Sequence, residues 1–308
     1  SVASRGLGDV YKRQTSNSLV MNNAAVLDLQ KALTVSSLVM TSANTIINSA
    51  GSSSLVVSGT STLAGSITTS GSQTYTGSVQ LGSDLTLTTA NGAVLFSSAV
   101  DNSSATPRAL TITSGSGNVT LTGAVGGGAN GPLGAIIVNS TGTTAFSSAV
   151  TAASVTTNAG GTVSLGGNVT TTGNQTYNDA MVLTGNVVLN APAVTTASTI
   201  AAGTYNLTIT TDAISLGSNL TGTGALVIQP KTASTTVAVG SSAAGTLALS
   251  DTALTYINDH FSSITIGSTS GTGALAVDYS AASFAFTNPL VLRSGTGNIT
   301  AIDTLRAG

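Results

Sequence analysis

The chain has 308 residues and a formal net charge of −2, and only 6% of its residues are charged, compared with about a quarter in typical globular domains. Glutamate, cysteine and tryptophan are absent, and there is a single histidine. This composition excludes a disulfide framework, a thiolate metal site, and the basic surface that binds nucleic acid or anionic lipid.

The opening segment 1–14, SVASRGLGDVYKRQ, differs from the rest of the chain in charge and periodicity and holds three of its eight basic residues. It resembles translated adapter or vector sequence. The alternative is a genuine flexible start. We interpret residues 1–14 as a non-native or disordered leader, and residues 15–308 as one domain. The leader lacks the apolar core of a signal peptide, so we expect any export signal to lie outside this chain.

From residue 15 onward, short runs alternate apolar residues with Thr or Ser, and Gly, Asn, Asp and Ser bound each run. Alternation with a period of two, broken by turn residues every 8 to 12 positions or so, is typical of β-strands. No run reaches the roughly 18 continuous apolar residues of a membrane-spanning helix. The clearest predicted strands are Ser54–Val57, Leu85–Thr88, Leu110–Thr113, Val119–Leu121, Leu207–Thr210, Leu226–Ile228, Ile264–Ile266 and Leu290–Leu292.

One segment departs from this alternation. In Ser250–Phe261 the residues Leu254, Ile257 and Phe261 are spaced to share one face of a helix. Ser250 or Asp251 precedes them and is suited to cap the first free amides. We therefore predict a short helical insertion near residues 251–261.

The chain also repeats itself. Gly59–Leu87 returns without a gap as Gly161–Leu189, an interval of 102 residues. Several matching positions carry identical residues, among them Gly71/Gly173, Gln73/Gln175 and Tyr75/Tyr177, and changed positions such as Ile67/Val169 mostly keep their character. A repeat that keeps spacing and polarity indicates a stacked architecture, and short solenoid coils are about 20 residues long. The interval would then be about five coils, and the whole chain about 14 coils.

Two architectures use short strands of this kind: a parallel β-solenoid and a string of antiparallel sandwiches. Sandwich modules usually bury large aromatic residues, and here aromatic residues are only 4%. In a solenoid, equivalent residues of successive coils lie over one another about 4.8 Å apart, where like charges repel. Uncharged Asn, Ser and Thr avoid that repulsion. The sequence therefore predicts an all-β fold, a parallel β-solenoid.

Four segments carry a family resemblance: GNQTY at Gly173–Tyr177, then Leu207–Pro230, Ala253–Ser268 and Phe286–Thr300. Their order resembles the repeat region of giant bacterial surface proteins of the filamentous haemagglutinin type, over nearly all of residues 50–308. The resemblance implies a right-handed parallel β-helix exported by two-partner secretion or a related route. The family's N-terminal secretion domain and C-terminal anchor do not appear in the sequence, so we expect this chain to be an internal fragment of a longer protein.

His260 is the only histidine, with Asp259 beside it and Asp251 nine residues earlier. Pairing with either aspartate would orient a catalytic imidazole, but no Ser–His–Asp signature surrounds it. We interpret His260 as a surface or loop residue.

The ten acidic residues are scattered aspartates, and no two lie within seven residues of one another. Calcium-binding repeats and EF-hand loops both need clustered acids. We interpret as turn or strand-edge residues Asp9, Asp28, Asp84, Asp101, Asp179, Asp212, Asp251, Asp259, Asp278 and Asp303. The glycines of Gly126–Gly128 lack the Lys-Ser/Thr of a phosphate loop, and Gly123–Gly134 is predicted to project as a loop. No catalytic, cofactor-binding or metal-ligating residue is predicted.

These observations favour a non-enzymatic rod or stalk of an adhesin that is secreted or exposed on the bacterial cell surface, in association with the outer membrane. Its expected partners are an unknown glycan or protein of a host or neighbouring cell and the adjoining coils of the same longer polypeptide, with no nucleic acid and no membrane insertion. Tyr75 and Tyr177 are either carbohydrate-stacking residues or, the favoured interpretation, packing residues at a solenoid corner.

Two alternatives remain. A polysaccharide-degrading β-helix enzyme needs several carboxylates and a basic residue in one groove. After the leader the sequence offers as basic residues only Lys31, Arg108, Lys231, Arg293 and Arg306. An ice-binding solenoid could use the Thr-x-Thr runs Thr86–Thr88, Thr111–Thr113 and Thr208–Thr210, but the irregular spacing of the runs argues against a flat threonine face.

Overall fold

The structure is a computed structural model that describes residues 18–257, 260–278 and 288–301. This part of the chain forms a parallel β-solenoid of about 14 turns, a single elongated domain with one short helix. The solenoid prediction is confirmed. The sandwich alternative is wrong, because the strand pairs between successive coils are parallel along the described chain. The predicted leader, residues 1–14, lies outside the described residues.

The strands of the first half are β1 (Ser18–Val20), β2 (Val26–Asp28), β3 (Leu33–Val35), β4 (Ser37–Val39), β5 (Thr45–Ile47), β6 (Leu55–Val57), β7 (Ser61–Thr69), β8 (Gln73–Tyr75), β9 (Val79–Thr89), β10 (Val94–Phe96), β11 (Val100–Asn102), β12 (Leu110–Gly115), β13 (Val119–Leu121), β14 (Leu133–Ser140), β15 (Thr143–Phe146) and β16 (Val150–Thr157). The second half contains β17 (Thr162–Leu165), β18 (Val169–Thr171), β19 (Gln175–Tyr177), β20 (Ala180–Leu183), β21 (Val187–Thr196), β22 (Ile200–Ala201), β23 (Leu207–Leu216), β24 (Leu220–Thr221), β25 (Ala225–Gln229), β26 (Val237–Val239), β27 (Leu247–Leu249), α1 (Asp251–Tyr256), β28 (Ser263–Ser268), β29 (Leu275–Val277), β30 (Leu290–Ser294) and β31 (Ile299–Ala301).

The described strands form three parallel sheets, of 17, 10 and 4 strands. A regular coil has three strand segments. The first two lie in the 17-stranded sheet, and the third lies in the ten-stranded sheet. In one such coil β18 and β19 pair with the two halves of β16, and β20 pairs with β17. Each of the eight clearest predicted runs lies within a strand, except that Ser54 lies one residue before β6. The alternation is visible because inward and outward side chains differ in polarity.

Coil length varies while the stacking register is maintained. Leu85 pairs with Leu110, whereas Ile136 pairs with Val155 after a shorter stretch of chain. The longer coils place their additional residues in corner segments between strands, such as 103–109 and 126–132. A coil of about 20 residues is therefore a typical length in this fold and not a fixed period.

The interior is a continuous apolar core of stacked columns that runs through the described coils. One column of the ten-stranded sheet contains in order Tyr75, Phe96, Leu121, Phe146, Leu165 and Leu183, each at most 3% exposed. Full burial of a side chain of this size contributes about 1.5–3 kcal/mol. The inward apolar residues of the internal coils are thus covered by the coils before and after, whereas Val20, Val26 and Ile299 at the two ends of the described chain are 48–63% exposed.

The 102-residue repeat does not join equivalent positions of the solenoid. Tyr75 lies in the ten-stranded sheet and Tyr177 in the 17-stranded sheet. Five coils beyond Tyr75, its column reaches Leu183, six residues after Tyr177. The interval is therefore about five coils long, as expected, but it falls six residues short of five whole coils and so ends on a different face. The repeated unit is a local corner and strand, which the fold uses on two different faces.

The helical insertion is confirmed as α1, which lies between β25 and β28. Ser250 caps it, since its side chain accepts a hydrogen bond from the Ala253 amide. Leu254, Ile257 and Phe261 are all buried, at 0%, 4% and 0% exposed. Only Leu254 lies in the helix, however, because Ile257 is its extended C-cap and Phe261 lies beyond it, so the predicted three-residue helical face is wrong. Across the insertion, Ala225 still pairs directly with Ser263.

A glycine accommodates this insertion. A Cβ placed on Gly222 would lie 2.7 Å from Cε1 of Phe261 and 2.9 Å from Cβ of Ala202. Only a residue without a side chain allows the buried Phe261 ring to approach the preceding coil so closely.

Candidate functional surface

The histidine and its two aspartates do not form a catalytic group in the described residues. His260 is exposed, and Asp259 lies outside the described residues. Asp251 is engaged with Ser241: its Oδ1 accepts from the Ser241 amide at 2.9 Å, and its own amide donates to Ser241 Oγ at 3.0 Å. Among the described residues, no three His, Cys, Asp or Glu side chains come together as metal ligands.

The aspartates instead accept hydrogen bonds from backbone amides of a neighbouring part of the coil stack. Six of them do so at 2.7–2.9 Å, and the donor amides are Ser49 to Asp28, Ala109 to Asp84, Gly128 to Asp101, Gly161 to Asp179, Thr232 to Asp212 and Ser241 to Asp251. Of the six, only Asp179 lies in a turn between strands. Asp251 is the first residue of α1, and the other four lie within β2, β9, β11 and β23, so the interpretation as turn residues is wrong for most of them. Asp9 and Asp303 lie outside the described residues.

Two of these aspartates differ in electrostatic environment. Burial raises the pKa of Asp179, which is 2% exposed, and the Gly161 amide opposes this only in part. Burial would also raise the pKa of Asp212, but hydrogen bonds from Thr232 and Thr235 outweigh it and hold that pKa below its usual value.

The glycine-rich loop is fixed to the coil before it. The buried Asn102 side chain donates to the carbonyls of Gly131 and Pro132 and accepts from the Arg108 amide. Asn130 donates to the Asn102 carbonyl at 2.7 Å. Segments 103–109 and 126–132 therefore form one joined corner, and the loop follows a strand without a helix to hold a phosphate.

Tyr75 and Tyr177 are fully buried and take part in matching hydrogen-bond networks. Tyr75 Oη donates to Gln73 Oε1 at 3.0 Å, and Gln73 Nε2 donates to Thr69 Oγ1 and to the Thr88 carbonyl of the next coil. The second copy repeats each contact with Tyr177, Gln175, Thr171 and Asn190. Neither ring is accessible to a carbohydrate, so both tyrosines are packing residues.

The basic residues are distributed over different coils. Lys31 follows β2 and Arg293 lies in β30, and both are exposed. Lys231 Nζ donates to Asn190 Oδ1 at 2.7 Å. Arg108 is half-buried, and its Nε is buried without a hydrogen-bond partner among the described residues. Arg306 lies outside the described residues. The structure thus does not bring the four described basic residues together into one groove.

One outward column of the large sheet consists almost entirely of hydroxyl side chains. It comprises Thr45, Ser66, Thr86, Thr111, Ile137, Thr156, Thr176, Thr195 and Ser215. The stretch of chain from Thr111 to Ile137 is longer than the stretch from Ile137 to Thr156, yet both pairs are in register. Irregular spacing of the Thr-x-Thr runs therefore does not prevent these side chains from stacking. The sequence argument that such spacing excludes an aligned threonine face is wrong. Thr208 and Thr210 pair instead with Val188 and Asn190, outside this column.

A concave groove opens on the outer surface of the early coils, at a position the sequence did not indicate. It is lined by Ser37, Val39, residues 60–62, Ser78 and Gln80, with a volume of about 360 Å³. These residues belong to three successive coils, because Val39 pairs with Thr62 and Thr62 pairs with Gln80. The lining contains hydroxyl groups, one amide and one valine, and no charged side chain.

In the described part of the chain, no helix has the length and apolar character needed to cross a bilayer. No family model, no curated protein and no solved structure matches this sequence.

Proposed function

We propose that this chain is a rod-like, non-enzymatic segment of a secreted or cell-surface bacterial adhesin of the filamentous haemagglutinin type. It acts outside the cell, as part of a longer polypeptide exported by two-partner secretion or a related route. Its role is to span distance and to hold a recognition surface away from the cell that makes it. A glycan or protein of a host or neighbouring cell is the partner.

The observation that carries the proposal is the uninterrupted stacked core. About 14 turns, each about 4.8 Å above the last, give a rod on the order of 65–70 Å long. Each internal coil is covered by its two neighbours, so the length of such a rod grows by adding coils without redesigning the core. The hydrogen bonds between parallel strands run along the rod, where a tensile load on an adhesin would act.

Small-angle scattering of the purified chain tests the rod, and we expect a long dimension on the order of 65–70 Å. Val150 pairs with Val169 in the next coil, so a deletion that begins at Val150 and ends at Asn168 removes one whole coil. The deleted chain should stay folded and shorten by about 4.8 Å. A compact envelope for the intact chain would overturn the proposal.

Bacteria displaying the chain should adhere to a surface of epithelial or bacterial cells more than bacteria displaying an unrelated β-solenoid of equal length. Equal adherence of the two would contradict the adhesin role. Incubation of the purified chain with acidic polysaccharides addresses the enzymatic alternative, and product formation at the rate of an enzyme would replace the present proposal.

Ice binding is the second candidate, because the outward hydroxyl column stays in register over nine coils. Ile137 interrupts the column, and a side chain without a hydroxyl weakens a lattice match to ordered water. Thermal hysteresis decides between the two: a freezing-point gap that disappears in Thr156→Lys would establish ice binding.

A further inference from the structure

The groove on the early coils combines three adjacent levels of the solenoid. β4, β7 and β9 each contribute outward residues, so the groove extends over two strand spacings, about 10 Å along the rod axis. Its volume of about 360 Å³ lies within the range of roughly 300–1,000 Å³ found for small-ligand sites.

Glycines produce the concave shape. Gly59 and Gly77 stand at the same corner of successive coils, immediately before the lining residues Thr60 and Ser78. A Cβ on Gly77 would lie 2.2 Å from the carbonyl carbon of Gly59, and one on Gly59 would lie 2.5 Å from the Ser36 carbonyl oxygen. The corner therefore cannot carry side chains, and no side chain from it fills the space beside Thr60 and Ser78.

Several polar groups of the groove are free to bind a ligand. Ser37 Oγ donates to Ser18 and Ser61 Oγ donates to the Gly59 carbonyl. Within the described residues, no side-chain hydrogen bond engages the other polar lining groups, Thr60, Thr62, Ser78 and Gln80. Val39, 37% exposed, adds an apolar surface.

We propose that this groove binds a neutral saccharide unit of a cell-surface glycan. Hydroxyl and amide groups can both donate and accept hydrogen bonds, which matches a ligand rich in hydroxyl groups, and the Val39 methyl groups match the C–H face of a sugar ring. An anionic ligand would have no positive partner in the lining. The proposal rests on the adhesin function and names the ligand class of that function.

The test is calorimetric titration of the intact chain with neutral hexose oligosaccharides, and with uronic-acid oligosaccharides of equal length. We expect binding of the neutral series alone, unaffected by added salt because no ion pair forms. Thr62→Val removes one hydroxyl with little change in shape, and Gln80→Ala removes the amide. Each should weaken binding about 2- to 10-fold, the usual worth of one hydrogen bond.

Thr111→Val is the matched control, because it makes the same exchange at an outward position on another face. It should leave the affinity unchanged. Circular dichroism of each variant confirms that the solenoid is intact. The inference is overturned if no neutral saccharide binds, if uronic acids or only proteins bind, or if Thr62→Val and Gln80→Ala bind like the parent chain. Scattering separates the two proposals: a rod that binds no saccharide contradicts the groove alone.

Discussion

The rings of Tyr75 and Phe96 stack on successive coils, with centroids 4.9 Å apart and planes inclined by 15°. This separation is close to the spacing of about 4.8 Å between paired strands, so the side chains follow the repeat of the backbone. The Tyr75 hydroxyl is also buried, and it donates to Gln73. The ring thus packs within the apolar column while the hydroxyl satisfies a polar network beside it.

Removing that hydroxyl should destabilise the rod. In Tyr75→Phe the buried Gln73 Oε1 loses its donor, and in Tyr177→Phe the same happens to Gln175. An acceptor left unpaired in the interior costs about 1–3 kcal/mol. We expect a loss of this size for each variant in urea titrations followed by circular dichroism.

Tyr205 provides the control, since it is 37% exposed. Tyr205→Phe should change the free energy of unfolding by less than about 0.5 kcal/mol. Equal losses in the three variants would show that the buried network does not contribute to stability.

The hydrogen-bond networks around Tyr75 and Tyr177 explain which part of the 102-residue repeat can be predicted from the sequence. Gln73 and Gln175 each bond to residues a few positions earlier and to the next coil. The repeated Gln and Tyr pair needs only a turn before it and a following coil to accept its hydrogen bonds. More than one face of the solenoid provides both. Sequence identity therefore predicts the local structure around both tyrosines, but not the face on which each lies.

A charge in the core column should be far more costly than a charge outside it. Leu183 is 3% exposed and stacks on Leu165, while Val182 on the same strand is 39% exposed. Leu183→Asp should cost several kcal/mol, because the carboxyl group loses its hydration without gaining a partner. Val182→Asp should cost less than about 1 kcal/mol, and midpoints of urea unfolding measure both.

Asn178, which is half-buried and lies just before β20, is not a suitable control for Leu183. Its Nδ2 donates to the Thr157 carbonyl at 2.7 Å, so Asn178→Asp would place a carboxylate against a carbonyl oxygen. If Val182→Asp proved as damaging as Leu183→Asp, the inward and outward assignment of β20 would be wrong.

The groove could not be predicted because its residues are distant in sequence. Val39, Thr62 and Gln80 lie on three successive coils and become neighbours only through strand pairing, and the varying coil length conceals their register. The strands, by contrast, depend on local alternation, and the helix on its own cap. Features set by nearby residues were accessible from the sequence, while those set by the stacking register were not.

Gly222 should be required for docking of the helical insertion. A Cβ in Gly222→Ala would overlap the buried Phe261 ring, and an overpacked core of this kind typically costs about 1–3 kcal/mol. We expect the segment 230–262 to become sensitive to limited proteolysis while the earlier coils stay protected, since coils contact mainly their neighbours.

Gly127→Ala is the matched control, because the nearest atom to its new Cβ would be Ala124 Cβ at 3.9 Å. Its proteolysis pattern should equal that of the parent chain. Protection of segment 230–262 in Gly222→Ala would show that the ring can move aside without loss of docking.

Asp179 and Asp212 should have opposite effects on stability as the pH changes. Burial raises the pKa of Asp179 in the folded state, so its charged form opposes folding at neutral pH, and this penalty disappears as the pH falls through the raised pKa. Hydrogen bonds from Thr232 and Thr235 outweigh burial and lower the pKa of Asp212, so its charged form stabilises the fold, and that contribution is lost as the pH falls through the lowered pKa.

Urea titrations of two matched variants from pH 7 down to pH 3 measure this. Asp179→Asn removes the buried charge while its amide oxygen can still accept from the Gly161 amide, so we expect it to be more stable than the parent at pH 7 and to lose that advantage in acid. Asp212→Asn should be less stable at pH 7, and the deficit should shrink as the pH falls. If both variants changed the free energy of unfolding in the same direction at pH 7, the assignment of opposite pKa shifts to Asp179 and Asp212 would be wrong.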